Sequence, residues 1–278
     1  MTVLVTGATG LLGPWLLDEA RRLGSTTGVA RHGADAVCDL TDRDATRSLL
    51  VAVCPRVVIH AAALTDVDLC ERRPELATLV NTMATAHVAE AAGEIGARVV
   101  FLSTDQVYPD TKGPHSEGDV APVNAYGRSK LAAEAEVLAR GGLVLRANFF
   151  GPSRTPGRES LSDFFVRSLP SGAPVSLYTD IMFSPVHVAT LARTVADAIE
   201  QDLLGCFNVG SREGFSKHDF ALALAQHLDL PTSSVVPALS DDAPGRAPRP
   251  HDLRMDVSRL EAALGRVMPT LWDEVRKL

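Results

Sequence analysis

A tyrosine and a lysine four residues apart occur in the run Asn124-Ala-Tyr126-Gly-Arg-Ser-Lys130. On a helix this spacing places both side chains on one face. A free phenol titrates near ~10, too high to give and recover a proton readily at neutral pH. An ammonium beside it stabilises the phenolate and lowers that value. Tyr126 and Lys130 together therefore read as a general acid suited to carbonyl reduction. Taken alone, the same spacing also describes a tyrosine at a core edge followed by a solvated lysine. Ser103-Thr104 closes the preceding apolar run with two hydroxyls. At the carboxyl edge of a parallel sheet, where ligands bind, such a hydroxyl can orient a substrate carbonyl.

A second constellation lies at the start of the chain. Gly7-x-x-Gly10-x-x-Gly13, with Thr9, Leu11 and Leu12 between the glycines, directly follows a β-branched run and directly precedes a helical pattern. In that setting the first glycine permits a tight turn, the second lets backbone approach a pyrophosphate, and the third lets helix and strand pack closely. The helix start adds free N–H groups and a partial positive charge. The second strand ends on Ala30-Arg31. An acid there would hold a ribose 2′-hydroxyl, whereas an arginine accommodates a 2′-phosphate. Arg31 thus favours NADP(H), with NAD as the second choice, and Asp39 with Leu40 is placed to meet the adenine.

The elements that must position these groups alternate. Nearly all-apolar runs at 3–6, 27–30, 57–60, 99–103 and 143–146 read as strands covered on both faces. Helical patterns at 15–23, 44–53, 74–95 and 126–140 separate them, with Asn124 as a cap for the last. Repeated βα units predict an α/β fold, a doubly wound parallel sheet of Rossmann type. The expected division is a dinucleotide-binding region over 1–150, with a returning element at about 185–210. The remainder, 151–184 and 211–278, forms a smaller C-terminal substrate-binding lobe. It contains a helix at 217–228 and the polar stretch 240–251.

Bulk properties narrow the classes. Of 278 residues, 46% are hydrophobic and 22% charged, an ordinary balance for a globular enzyme. A net charge of −7 disfavours general attraction to nucleic acid or anionic membrane, while leaving room for a local basic pocket. The amino-terminal apolar run is too short for a signal peptide, and no stretch is long enough to span a bilayer. A cytoplasmic location is expected. Cys38, Cys54, Cys70 and Cys206 show no ligand spacing, so reduced thiols and no metal site are expected. Oligomeric state stays open, a homodimer included.

The combined pattern resembles the extended short-chain dehydrogenase/reductases and, within them, the dTDP-4-dehydrorhamnose reductases. The residues that carry the resemblance include Cys54-Pro-Arg-Val-Val-Ile-His-Ala-Ala-Ala63, Thr65-Asp-Val-Asp68, Asn81, Ser103-Thr-Asp105 and Pro122-Val-Asn-Ala-Tyr-Gly-Arg-Ser-Lys-Leu131. The resemblance implies that NADPH delivers hydride to C4 of a nucleotide-linked 4-keto-6-deoxysugar. Tyr126 would protonate the oxygen, Lys130 would hold the nicotinamide ribose and lower the tyrosine pKa, and Thr104 would hydrogen-bond the carbonyl. Ala61, Ala62, Ala63 and Asn81 would join the cofactor groove. Asp105, Asn148, Phe149 and Arg249 would serve the substrate, Arg249 at the nucleotide phosphates.

The resemblance thins after residue 150. Arg146-Ala-Asn148-Phe149-Phe-Gly151-Pro152 stands where rhamnose enzymes carry a Thr-Ser-Trp run, and it leans towards sugar-nucleotide epimerases and dehydratases. The segments Phe183-Ser-Pro185-Val-His-Val188 and Leu230-Pro-Thr-Ser-Ser234 are also similar to the regulatory β subunit of methionine adenosyltransferase. Three readings therefore stand: ketoreductase, epimerase or dehydratase, and non-catalytic NADP-binding subunit. His187 is read as structural.

Overall fold

A computed structural model describes residues 1–240 and 245–278. In chain order the strands are β1 (Thr2–Thr6), β2 (Ser25–Ala30), β3 (Ala36–Val37), β4 (Val57–His60), β5 (Arg98–Thr104), β6 (Leu143–Ala147), β7 (Phe149–Phe150), β8 (Val175–Tyr178), β9 (Met182–Phe183), β10 (Val186–His187), β11 (Gly205–Val209), β12 (Phe215–Ser216), β13 (Val235–Ala238) and β14 (Asp252–Leu253). The helices are α1 (Gly13–Leu23), α2 (Arg43–Val53), α3 (Val67–Arg72), α4 (Pro74–Ala77), α5 (Ala84–Glu94), α6 (Ala125–Leu138), α7 (Leu161–Ser168), α8 (Val188–Glu200), α9 (Lys217–His227), α10 (Ser258–Leu264) and α11 (Leu271–Val275).

Seven parallel strands form the central sheet in the order β11-β6-β5-β4-β1-β2-β3. This is the Rossmann-type α/β arrangement that the sequence predicts. Alternate strand residues feed opposite layers. Val3, Val5, Ile59, Val100, Leu102, Leu143 and Leu145 pack with Leu16, Leu191, Val195 and Leu260. Leu4, Val58, Val99, Phe101 and Val144 pack with Leu50, Val88, Ala92 and Ala133. Both faces being dry explains why the strands read as continuous apolar runs.

A third core gathers Phe150, Phe165, Phe183, Phe220 and Leu224. The rings of Phe150 and Phe220 lie 4.8 Å apart, with Phe183 5.3 Å from Phe220. Three small sheets, β10-β7, β12-β9-β14 and β13-β8, frame this cluster. Part of the expected polar stretch 240–251, residues 241–244, lies outside the described residues.

The expected helix over 74–95 runs without interruption from Pro74 to Glu94 but widens in its middle. Between α4 and α5 the chain makes a π-helical turn at Thr78–Met83. The Asn81 side chain in that turn accepts from Leu64 N at 2.8 Å and donates to Leu64 O and Ser129 Oγ, both at 3.0 Å. A wide turn of this kind re-aims one side chain, here towards a loop that needs backbone partners.

Candidate active site

The strand order reverses between β1 and β4, and the loops after these two strands therefore diverge to leave a crevice at the carboxyl edge. A cavity of about 950 Å³ lies there. Gly7, Thr9, Gly10, Leu11, Leu12 and Gly13 line one side, and Arg31, Asp39 and Leu40 one end. Ala61, Ala62 and Ala63 line the middle. Thr104, Asp105, Tyr126, Lys130, Asn148 and Phe149 line the other end.

The glycine loop is shaped by close approach. Gly7 has φ +71°, and a β-carbon there would lie 2.8 Å from the Ala61 and Ala62 backbone. A β-carbon on Gly13 would sit 2.3 Å from Ala8 O. Gly10 is different: its β-carbon would meet only Gly7 O, at 3.1 Å, so little protein crowds that side. The residues fit a dinucleotide whose pyrophosphate approaches Gly10 and the start of α1. Thr6 ties this loop to the next. Its hydroxyl bonds His60 Nδ1 at 2.7 Å and accepts from Ala61 N at 3.2 Å and Ala62 N at 3.3 Å. Burial lowers His60 to about 3, so the imidazole is neutral at neutral pH. Arg31 is exposed at the cavity end. Asp39 accepts from Thr41 N at 3.0 Å and Thr41 Oγ1 at 2.8 Å, which lowers its pKa.

Tyr126 and Lys130 enter the cavity from the first turns of α6, which Asn124 caps by accepting from Gly127 N at 2.8 Å. Both are nearly fully buried. Burial raises the Tyr126 phenol above its ordinary value, against a hydrogen bond with Thr104 that lowers it. Burial brings Lys130 down to about 7, and Glu134 pulls it back up. The ammonium donates to Leu102 O at 2.7 Å and sits 3.9 Å from the Phe101 ring centroid. The Lys130 ammonium is thus engaged by a backbone carbonyl, and burial is the dominant influence on the Tyr126 phenol. The phenol is a protonated donor at neutral pH.

Behind Thr104 lies a polar chain. Its hydroxyl donates to Asp105 Oδ1 at 3.1 Å, and Asn148 Nδ2 donates to Asp105 Oδ2 at 2.6 Å. Burial raises the Asp105 pKa, while Asn148, Lys217 and Thr104 pull it down. Lys217, at the start of α9, is lowered to about 7 by burial, with Asp105 opposing. Its ammonium lies 3.2 Å from the Phe183 ring centroid. Lys217 carries no motif in the sequence, and only the fold brings it to Asp105.

Two expected residues are elsewhere. Asn81 does not line the cavity; its amide is spent on Leu64 and Ser129. Arg249 also lies off the cavity. It holds Asp68 through two nitrogens, at 3.1 and 3.0 Å. The Asn81 amide is taken up by these protein partners, and Arg249 is committed to Asp68 through its two terminal nitrogens. His187 is buried, and its Nδ1 accepts from Ala189 N at 3.2 Å to cap α8. Beneath the site, Arg146 and Glu134 form a buried pair at 2.6 Å that also reaches Ser103 and Tyr108. Among the described residues no helix is long and apolar enough to cross a membrane.

A family model described as the RmlD substrate binding domain matches residues 1–278. A probable low-salt glycan biosynthesis reductase of Haloferax volcanii is 31% identical, covering 100% of this chain and 97% of its own length. Subunit beta of methionine adenosyltransferase 2 from Danio rerio is 33% identical, covering 93% and 84%. A crystal structure of a dTDP-4-dehydrorhamnose reductase from Clostridium acetobutylicum superposes with a TM-score of 0.91 at 26% identity, covering 100% and 98%.

Proposed function

From a chain that belongs to the RmlD substrate binding domain family, we propose an NADPH-dependent reduction of the 4-keto group of a nucleotide-linked deoxysugar. The observation that carries this reading is the meeting of Thr104, Tyr126 and Lys130 in one cavity with the glycine loop. Residues 151–184 and 211–278 supply the substrate lobe, with Asp105, Asn148 and Phe149 facing the sugar.

The dinucleotide, when bound, supplies a hydride to the carbonyl carbon. The protein supplies the proton. Burial holds the Tyr126 phenol protonated, and an alkoxide forming beside it is the stronger base, so the proton passes from phenol oxygen to substrate oxygen. Thr104 Oγ1 is held in place by accepting from Gln106 N at 3.2 Å, and its single proton, given to Asp105 in the free site, turns to the carbonyl oxygen when the substrate is present. Lys130 is anchored at Leu102 O, where its remaining protons can meet a ribose hydroxyl and its charge can stabilise the phenolate left after transfer. Arg31 would hold the 2′-phosphate and the loop at Gly10 the pyrophosphate.

The test mixes purified protein, NADPH and a dTDP-4-keto-6-deoxysugar and follows the absorbance of the reduced nicotinamide. Continuing, stoichiometric oxidation supports the reductase. Sugar conversion without net NADPH loss points to an epimerase or dehydratase. The similarity to the adenosyltransferase subunit favours one other reading, a dinucleotide-binding regulatory subunit. No turnover on any keto-sugar, with NADP bound and an adenosyltransferase catalytic chain co-purifying, would favour it.

A further inference from the structure

Residues 153–159 form a strap that leaves the sheet after β7 and lies across the glycine loop. Thr155 Oγ1 donates to Gly10 O at 3.1 Å. Arg154 sits 3.5 Å from the Trp15 ring centroid and pairs with Asp18 on α1 at 2.6 Å. Ser153 N donates to Asp163 on α7 at 3.1 Å. The strap is thus clipped both to the loop that faces the dinucleotide and to the first helix of the lobe.

The next four residues fix where its tip points. In Thr155-Pro156-Gly157-Arg158, Arg158 N donates to Thr155 O at 3.1 Å and Gly157 has φ +73°. Proline followed by a positive-φ glycine across such a bond is the signature of a type II turn, whose end residues lie within about 7 Å. Arg158 is therefore held beside Thr155, and through it beside Gly10. Arg158 lines the same cavity as the glycine loop.

Charge accounting leaves Arg158 without a protein partner. The neighbouring Glu159 is taken by Arg167 through two nitrogens, at 2.6 and 3.1 Å. Among the described residues the Arg158 guanidinium has no hydrogen bond or ion pair, although it is an exposed cation on a tethered turn. The other cations lining the cavity stand elsewhere: Arg31 at the end of β2, and Lys130 buried at Leu102 O. The segment from Thr6 to Gly13 contains no basic residue. A pyrophosphate on this loop would meet only N–H groups and the helix start, and a guanidinium beside it supplies the missing counter-charge in bidentate geometry.

We propose that Arg158 is a phosphate-binding residue that takes pyrophosphate oxygens of a dinucleotide seated on the glycine loop. The assignment rests on the dinucleotide reading above. It also gives the strap a purpose, since the bond joins the bound dinucleotide to the chain leading into α7.

Titration calorimetry with NADPH and with NADH, on the full chain and on Arg158→Ala, tests it. Both dinucleotides carry the pyrophosphate, so both dissociation constants are expected to rise by the same factor, roughly tenfold. Arg158→Lys should recover part of the loss. Unchanged constants for both dinucleotides overturn the assignment. So does a loss confined to NADPH, which would place Arg158 at the 2′-phosphate. If the unaltered protein binds neither dinucleotide, the cofactor reading itself is wrong and this assignment falls with it.

Discussion

Arg249 and Asp68 stand 181 residues apart in the chain, yet two guanidinium nitrogens of one reach both carboxylate oxygens of the other, at 3.1 and 3.0 Å. Asp68 also accepts from Ala247 N at 2.8 Å. A single carboxylate on α3 thereby pins the segment that closes the lobe against the first half of the chain. Arg249 acts as a clasp in this arrangement.

The clasp has a pH signature. The Arg249 hydrogen bond, with that from Ala247, lowers Asp68 from 3.8 to about 2. A depressed carboxylate stabilises the fold above its unfolded value, and that stabilisation is lost as pH falls through its folded value. Thermal unfolding between pH 4 and pH 2 should therefore lose about 1 kcal/mol more in the unaltered protein than in Asp68→Asn, a figure reduced for solvent screening of a partly exposed pair. Parallel curves in that window would remove the clasp.

Tyr126→Phe removes the proton and keeps the ring. NADPH-dependent turnover should drop by about 10²–10⁴-fold, while NADPH affinity changes little because the phenol faces the reacting carbon. Steady-state kinetics and direct cofactor titration on the same preparation separate the two. Unchanged turnover would take the proton-donor role away from Tyr126.

Much of this site could be read along the chain because its signals are local. The glycine loop, the Tyr126/Lys130 face and the hydroxyl at Thr104 each depend on a few adjacent residues, and all line the cavity. The period of the strands likewise reported a sheet covered on both faces. What was not legible depends on distant partners. Asn81 is a polar residue in a helical run until Leu64 and Ser129 claim its amide. Arg249 gives no sign in the sequence that Asp68 stands opposite it. Lys217 becomes relevant only when α9 is docked beside Asp105. Proline and glycine in Thr155-Pro-Gly-Arg158 favour a turn, but the sequence does not say what lies beneath it.

Arg31→Ala should weaken NADPH by roughly tenfold, as expected for loss of a charge-assisted bond to phosphate, and NADH hardly at all. Fluorescence titration of the two reduced dinucleotides decides this. Equal losses would mean that Arg31 does not meet the 2′-phosphate, leaving it as a solvated charge near Asp39.

Lys217 gives the remaining prediction, and its sign follows from burial. Burial raises the Asp105 carboxyl, and the Lys217 ammonium is among the groups that hold it down. In Lys217→Met that opposing charge is gone, so Asp105 binds its proton at higher pH. A protonated Asp105 loses acceptor capacity towards Thr104 and Asn148, the groups that place the substrate carbonyl. The acid limb of kcat/KM should therefore move to higher pH in Lys217→Met, with activity recovered at the alkaline end of the profile. Lys217→Arg, which keeps the charge, should leave the limb near its original position. Burial holds Lys217 itself near 7, so the unaltered protein should also lose this support as pH rises through that value. A profile in Lys217→Met that is merely scaled down, with its limbs unmoved, would show that the lysine packs against Phe183 and does nothing for Asp105.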